Sequence, residues 1–387
     1  MIVTNIIGIS ILSIFLLFIF LKRKKTTSDY LLILTIFVFG SSLFSEIWIS
    51  QGLTLPNYIF YFFSNTIIFP CFLTYGMVLI DQEHKIKKKW WWIPSFAIVF
   101  ITYIFVDTLF LNDYDTQEKL KELFESPSLI RQLFYKAHYI FIIVALIWFL
   151  KKIKTYVREI KNHYSSIELI HLNWFKNFTY AYLTFSVFEI TIFSLYDLRI
   201  LTNVYEGLTI SSFLRIISLF YLCYNGIKQY TIAEFNDGRA LDELTMNNEK
   251  DTFKSRVKPP NLKYKYSSLS EEEMNTIFLE IKKLFESERL YLEPQLKIEE
   301  LAKRLNVTTH NISQTINLKA QKPFYDFVNE YRLNHFKQLL EDTENRKFTI
   351  LALGIESGFN SKATLNRVFK QNIGQSPRQF QRAHFIK

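Results

Sequence analysis

Seven apolar runs, each about 17 to 23 residues long, constrain this chain more than any other feature, because a helix of that length matches the hydrocarbon thickness of a bilayer. They cover residues 2–21, 30–49, 58–80, 90–110, 133–150, 178–196 and 208–224. The composition agrees: hydrophobic residues make up 49% and aromatics 17%, with 38 Phe and 22 Tyr against only 10 Gly and 9 Pro. Such a mixture suits lipid-facing helices better than a disordered or all-β protein. No basic residue precedes the first run, Lys22, Arg23, Lys24 and Lys25 follow it, and no small-residue cleavage site is evident. It therefore reads as a retained span, with the N-terminus outside, and not as a signal peptide.

Loop charge orients the remaining spans. One alternate set of connections carries Lys22, Arg23, Lys24 and Lys25, then Lys85, Lys87, Lys88 and Lys89, then Lys151, Lys152, Lys154, Arg158, Lys161 and Lys176. The opposite set carries Lys119, Lys121, Arg131 and Arg199 among several acids. Cytoplasmic loops hold the Lys/Arg excess, so the first set is expected to face the cytoplasm. An odd number of crossings then leaves everything after residue 224 on the cytoplasmic side. The expected location is the bacterial cytoplasmic (inner) membrane.

Ionisable residues inside spans are expensive and invite a functional reading. Glu46, Asp107, Lys136, His138, Glu189 and Arg215 fall within the runs, all on the outer half. This asymmetry predicts an outward-opening polar pocket with a Glu189–Arg215 pair at its core, and Glu46, Lys136, His138, Glu189 and Arg215 as candidate ligand-binding residues. The competing reading is snorkelling or helix–helix glue. An unknown small-molecule or peptide signal is the expected partner, and the mixed charges suit an anionic, zwitterionic or amphipathic compound. The acidic outer loop at 112–132 has the pattern of a short helix at 117–124, and Trp90, Trp91 and Trp92 read as interface anchors. Cys71 and Cys223 sit inside apolar runs and read as inert thiols. No metal-ligand cluster, phosphate-binding glycine loop or nucleophile elbow is present in the sequence, so neither a cofactor nor a metal nor catalysis is expected.

Composition turns polar at 226–269, which reads as a cytoplasmic linker. Ser270 then suits an N-cap with Glu273 completing a capping box, opening an amphipathic helix over 270–289 whose apolar face holds Ile277, Ile281, Leu284 and Phe285. A short helix follows with Ile298, Leu301, Ala302 and Leu305 as its stripe, a tight turn at Asn306-Val307, and a second helix capped by Thr308. Ile312 and Ile316 point inward there, leaving His310, Asn311, Ser313, Gln314 and Asn317 outward. The plan recurs. Thr349 caps a helix carrying Ile350, Leu351, Leu353 and Ile355, Gly358 stops it, and Ser361 caps a partner in which Leu365, Val368 and Phe369 face inward. Lys362, Ala363, Asn366, Arg367 and Lys370 form the outer face of that helix, Gly374 suits a left-handed cap, and Pro377 starts a closing helix. Residues 324–340 read as one connector helix serving two cores.

Two helix-turn-helix units on one connector can address successive major grooves about 34 Å apart. Arg367 can pair with guanine, Asn366 and Gln314 with adenine, and Lys362 and Lys370 with phosphates. No acidic residue follows Glu356, which suits a polyanionic partner.

These residues closely resemble the DNA-binding domain of the AraC/XylS family of bacterial transcription regulators. The resemblance covers about 290–382 and rests on Gly358-Phe359-Asn360-Ser361, Arg367-Val368-Phe369-Lys370, Gly374-Gln375-Ser376-Pro377 and the connector Phe327-Val328-Asn329-Glu330-Tyr331-Arg332-Leu333. It implies DNA contacts at His310, Ser313 and Gln314 in the first recognition helix and at Lys362, Ala363, Asn366 and Arg367 in the second. The first helix lacks the Arg or Lys often found near Gln314, so the second unit is expected to carry more of the electrostatic binding. The N-terminal half is similar in architecture to membrane-anchored variants with a multi-span sensor.

The expected fold is therefore all-α: a seven-helix transmembrane bundle over 1–225, the linker at 226–269, the amphipathic helix at 270–289 and a double helix-turn-helix domain at 290–387. The expected function is a membrane-bound one-component transcription regulator, not an enzyme, that binds double-stranded DNA under control of a signal sensed in the bilayer, possible as a homodimer. A multi-span transporter or a passive tether carrying a DNA-binding domain is the alternative.

Overall fold

Every regular element among the described residues is a helix, as the scarcity of glycine and proline and the long apolar periodicities lead one to expect. The computed structural model describes residues 2–22, 25–52, 54–81, 87, 90, 92–109, 129–198, 200, 204–229 and 269–385. The expected helix at 117–124 lies outside the described residues, as does nearly all of the linker expected at 226–269. The chain divides into two units. One comprises the described residues up to 154 together with 172–229, and the other comprises 155–171 together with 269–385.

The first unit contains α1 (Ile2–Leu21), α2 (Thr27–Ser50), α3 (Leu55–Ile80), α4 (Trp92–Leu109), most of α5 (Leu129–His163), α6 (Asn173–Asp197) and α7 (Val204–Lys228). By length and composition, α1, α2, α3, α5 and α6 can each cross a membrane. α4 and α7 stand at the positions of the fourth and seventh expected runs; the described apolar part of α4 is the shorter stretch Trp92–Ile104. α1 leaves Ile6, Ile7, Ile14, Leu17 and Phe18 exposed on the protein surface, an apolar face compatible with membrane association. α2 starts at a capping box in which Asp29 accepts from the Thr26 amide at 2.8 Å. Packing runs α1 on α2, α2 on α3, α3 on α4, and α7 against α1, α2 and α6. Stacked aromatics fill the spaces between helices, among them Phe72 on Phe175 and Phe62 on Tyr135.

α5 runs well past the apolar stretch at 133–150, where a connecting loop was expected. The added residues Lys151 to His163 include Lys, Arg and Glu and contain neither Gly nor Pro, so nothing in them stops a helix.

The second unit holds α8 (Glu271–Ser287), α9 (Ile298–Leu305), α10 (Thr309–Lys319), α11 (Phe324–Glu341), α12 (Ile350–Glu356), α13 (Lys362–Ile373) and α14 (Pro377–Phe385). Its helix ends are written in the local sequence. The Ser270 hydroxyl accepts from the Glu273 amide at 3.2 Å while Glu273 accepts from the Ser270 amide at 2.8 Å. The Thr308, Thr349 and Ser361 hydroxyls accept from the amides of Asn311, Ala352 and Thr364 at the starts of α10, α12 and α13. Asn306 (φ 53°), Gly358 (φ 87°) and Gly374 (φ 81°) take the left-handed conformation that ends α9, follows α12 and ends α13.

Two hydrophobic cores hang on α11. Phe324, Phe327 and Val328 join Leu301, Ile312 and Ile316 in the first, and Leu333, Phe336 and Leu340 join Leu353, Leu365 and Phe369 in the second. The amphipathic α8 is no separate element: Ile277, Ile281 and Phe285 are part of the first core. Leu351 and Ile355 of α12 stay exposed, because the inward face of that short helix is made by Leu353 and Gly354.

Candidate functional site

In the first unit, a network around Arg215 on α7 gathers residues from five other helices. Arg215 Nη1 lies 2.7 Å from Glu46 Oε1, 3.0 Å from Ser42 Oγ and 3.1 Å from Asn65 Oδ1. Its Nη2 lies 3.6 Å from Glu189 Oε1, and Tyr139 donates to the other Glu189 oxygen at 2.7 Å. Asn5 on α1 donates to Glu46 at 2.9 Å. Glu46, Glu189 and Arg215 are each less than a tenth exposed. Charges this deep persist only when paired and hydrogen-bonded, and removing one partner leaves the rest uncompensated.

A cavity of about 150 Å³ opens beside this network. Lys136, His138, Glu189 and Arg215 line it together with Tyr61, Tyr139, Tyr182 and Phe185. Lys136 is paired with Asp197 at 2.9 Å, and the His138 ring stacks on Phe100. Glu46 is not among the lining residues; it holds Arg215. The five ligand-binding candidates are thus brought to one region, four at the cavity wall and one behind it. The aromatic lining, with Asn65 and Ser42 on the guanidinium, was not read from the sequence. Tyr, Phe and Asn inside an apolar run carry no charge signal to mark them.

In the second unit, α10 and α13 present polar faces. His310 and Asn317 are exposed, while Asn311, Ser313 and Gln314 are half-buried. On α13, Lys362, Ala363, Asn366, Arg367 and Lys370 are all exposed, and Leu365 and Phe369 are fully buried beneath them. Arg367 Nη2 donates to Tyr325 Oη at 2.5 Å, and its guanidinium lies over that ring. Burial pushes the Tyr325 phenol up to about 12; the Glu168 carboxylate adds to the rise and Arg367 opposes it.

Three contributors escaped sequence reasoning. Arg332, in the middle of α11, is 1% exposed and donates to the Tyr291 carbonyl at 2.8 Å and the Glu293 carbonyl at 2.7 Å. Burial lowers its guanidinium to about 10, and the nearby Glu168 carboxylate favours the charged form. Tyr325 and Glu168 are the other two. The only sequence hint was an arginine on a connector helix between two apolar positions, Tyr331 and Leu333, where a solvated charge has no room.

A helix pair joined by a tight turn, with a capped second helix whose outer face is polar and basic, is the geometry that enters a DNA groove. Residues 301–383 match a family model described as a helix-turn-helix domain. The match runs from within α9 into α14 and supports sequence-specific DNA binding of the AraC type. No curated protein and no solved structure matches the chain.

Proposed function

We propose that the chain is a membrane-bound one-component transcription regulator. Seven spans place the N-terminus outside and the helix-turn-helix domain in the cytoplasm, a signal binds at the Arg215 network, and two helix-turn-helix units read DNA. One observation supports this reading above others: a unit suited to lipid, with a buried ionic cluster facing a cavity, shares its chain with a helix-turn-helix match. A passive tether has no need of a cluster that costs several kcal/mol to bury.

A signal can move such a protein only if it binds two states of the helical unit with different affinity. The experiment is a reporter driven by a promoter found by footprinting with the full chain in membranes. Arg215→Ala and Glu189→Ala are expected to change the response while leaving DNA affinity intact. Replacing residues 1–225 by an unrelated anchor is expected to abolish it. Unchanged regulation on the foreign anchor would reduce the helices to a tether. A reporter fused after Lys387 and found exported would refute the topology.

A further inference from the structure

Residues 161–171, the end of α5 and the connection to α6, form a strap in the second unit. Tyr164 makes an antiparallel bridge with Lys297, and the Ser165 amide donates to the Leu296 carbonyl at 3.1 Å. Arg332 grips the strap, with Nη1 3.2 Å from the Ser165 carbonyl and Nη2 3.0 Å from its hydroxyl. Lys161 pairs with Asp326 at 3.1 Å and sits over the Tyr325 ring. Tyr164, Ser165, Ser166 and Ile167 are all buried.

The strap also touches α10 and the start of α13. Asn317 on α10 donates to Asn162 at 3.5 Å. On the other side, Asn360 donates to Ser166 Oγ at 2.7 Å, Ser166 donates to Glu168, and Thr364 Oγ1 donates to Glu168 Oε1 at 2.5 Å. Thr364 belongs to the first turn of α13, next to Lys362 and Ala363. A recognition helix presents that turn to DNA, and a helix start is where a backbone phosphate binds. Here a carboxylate, Glu168, accepts from a side chain of that turn.

We propose that the strap is an internal competitor of DNA: Glu168 occupies the phosphate position at the start of α13, and tight binding requires its withdrawal. The proposal rests on the DNA-binding reading above. The strap is covalently continuous with α5 and α6, which carry Tyr139 and Glu189, so a change at the cavity has a direct chain route to it.

The test uses the full chain in lipid nanodiscs and a fluorescent 30-base-pair duplex at low salt. Glu168→Gln keeps the size and removes the charge, and is expected to raise affinity roughly fivefold, with the gain shrinking as salt rises. Glu159→Gln, on the exposed face of α5, is the control and is expected to change nothing. Adding duplex to the unaltered protein is expected to speed amide exchange at 164–171. An affinity unchanged or lowered by Glu168→Gln, or strap amides equally protected with DNA bound, overturns the competitor. If no protein, Glu168→Gln included, binds duplex, the DNA-binding reading falls with it. If the unaltered protein binds and Lys370→Ala weakens it while Glu168→Gln has no effect, the strap alone is refuted.

Discussion

Replacing Gly358 by alanine should damage the second unit far more than replacing Gly374, although both glycines sit at nearly the same positive φ, 87° and 81°. A left-handed non-glycine residue costs about 1–2 kcal/mol, and alanine recovers roughly half of that by restricting the unfolded chain. A Cβ on Gly374 would meet nothing within 4 Å, so the net cost there is about 1 kcal/mol. A Cβ on Gly358 would lie 2.8 Å from the Tyr291 carbonyl oxygen and 2.9 Å from that of Leu292. Both are backbone atoms of the short turn Leu290–Leu292, and Arg332 holds the Tyr291 oxygen at 2.8 Å. Relieving the clash means moving that turn and stretching a buried charged hydrogen bond, which adds about 2 kcal/mol on the scale of overpacked cores. The difference of about 2 kcal/mol corresponds to roughly thirtyfold in the local opening constant. Hydrogen exchange on the full chain in detergent, followed at the α12 and α13 amides, measures it. Equal loss of protection in the two variants would refute the steric argument.

Three further outcomes are expected. Arg215→Ala strands Glu46 and Glu189 without their shared cation and should destabilise the first unit by about 3–5 kcal/mol, read as a lower thermal midpoint in detergent; an unchanged midpoint would mean the network contributes nothing. Phe336→Ala removes a fully buried ring from the second core, at a cost of about 3–5 kcal/mol, measured by exchange at α11 and α14. Burial, aided by Arg289, lowers the His335 imidazole below its usual 6.5. The unfolded chain therefore takes up a proton first as pH falls, so stability is full above about 6.5 and declines below it. Protection of α11 should weaken between pH 7 and 5.5, and His335→Gln should flatten that trend.

How far the sequence could be read depended on the range of the interaction. Helix starts at Ser270, Thr308, Thr349 and Ser361 are decided by a side chain and an amide three residues on, and the same residues act as caps in the fold. Apolar spacing likewise divided α11 between two cores. Span ends were less legible: α5 continues through thirteen residues beyond Leu150, from Lys151 to His163, because polar helix formers give no stop signal. The division of the chain differs as well. A boundary near residue 225 follows from composition, but composition cannot report that 155–171 packs with the C-terminal unit.

What the sequence alone determined is local: which stretches are helical, which faces are apolar enough for lipid or core, and which face of α13 is polar and basic. Tertiary structure alone decided which distant groups meet. Glu46 and Arg215 are 169 positions apart, and Glu168 and Thr364 are 196 apart. Periodicity and capping rules act over three or four residues, whereas a buried charge takes whichever partner the packing of several helices delivers. The ionic cluster and the strap beside α10 and α13 belong to that second class.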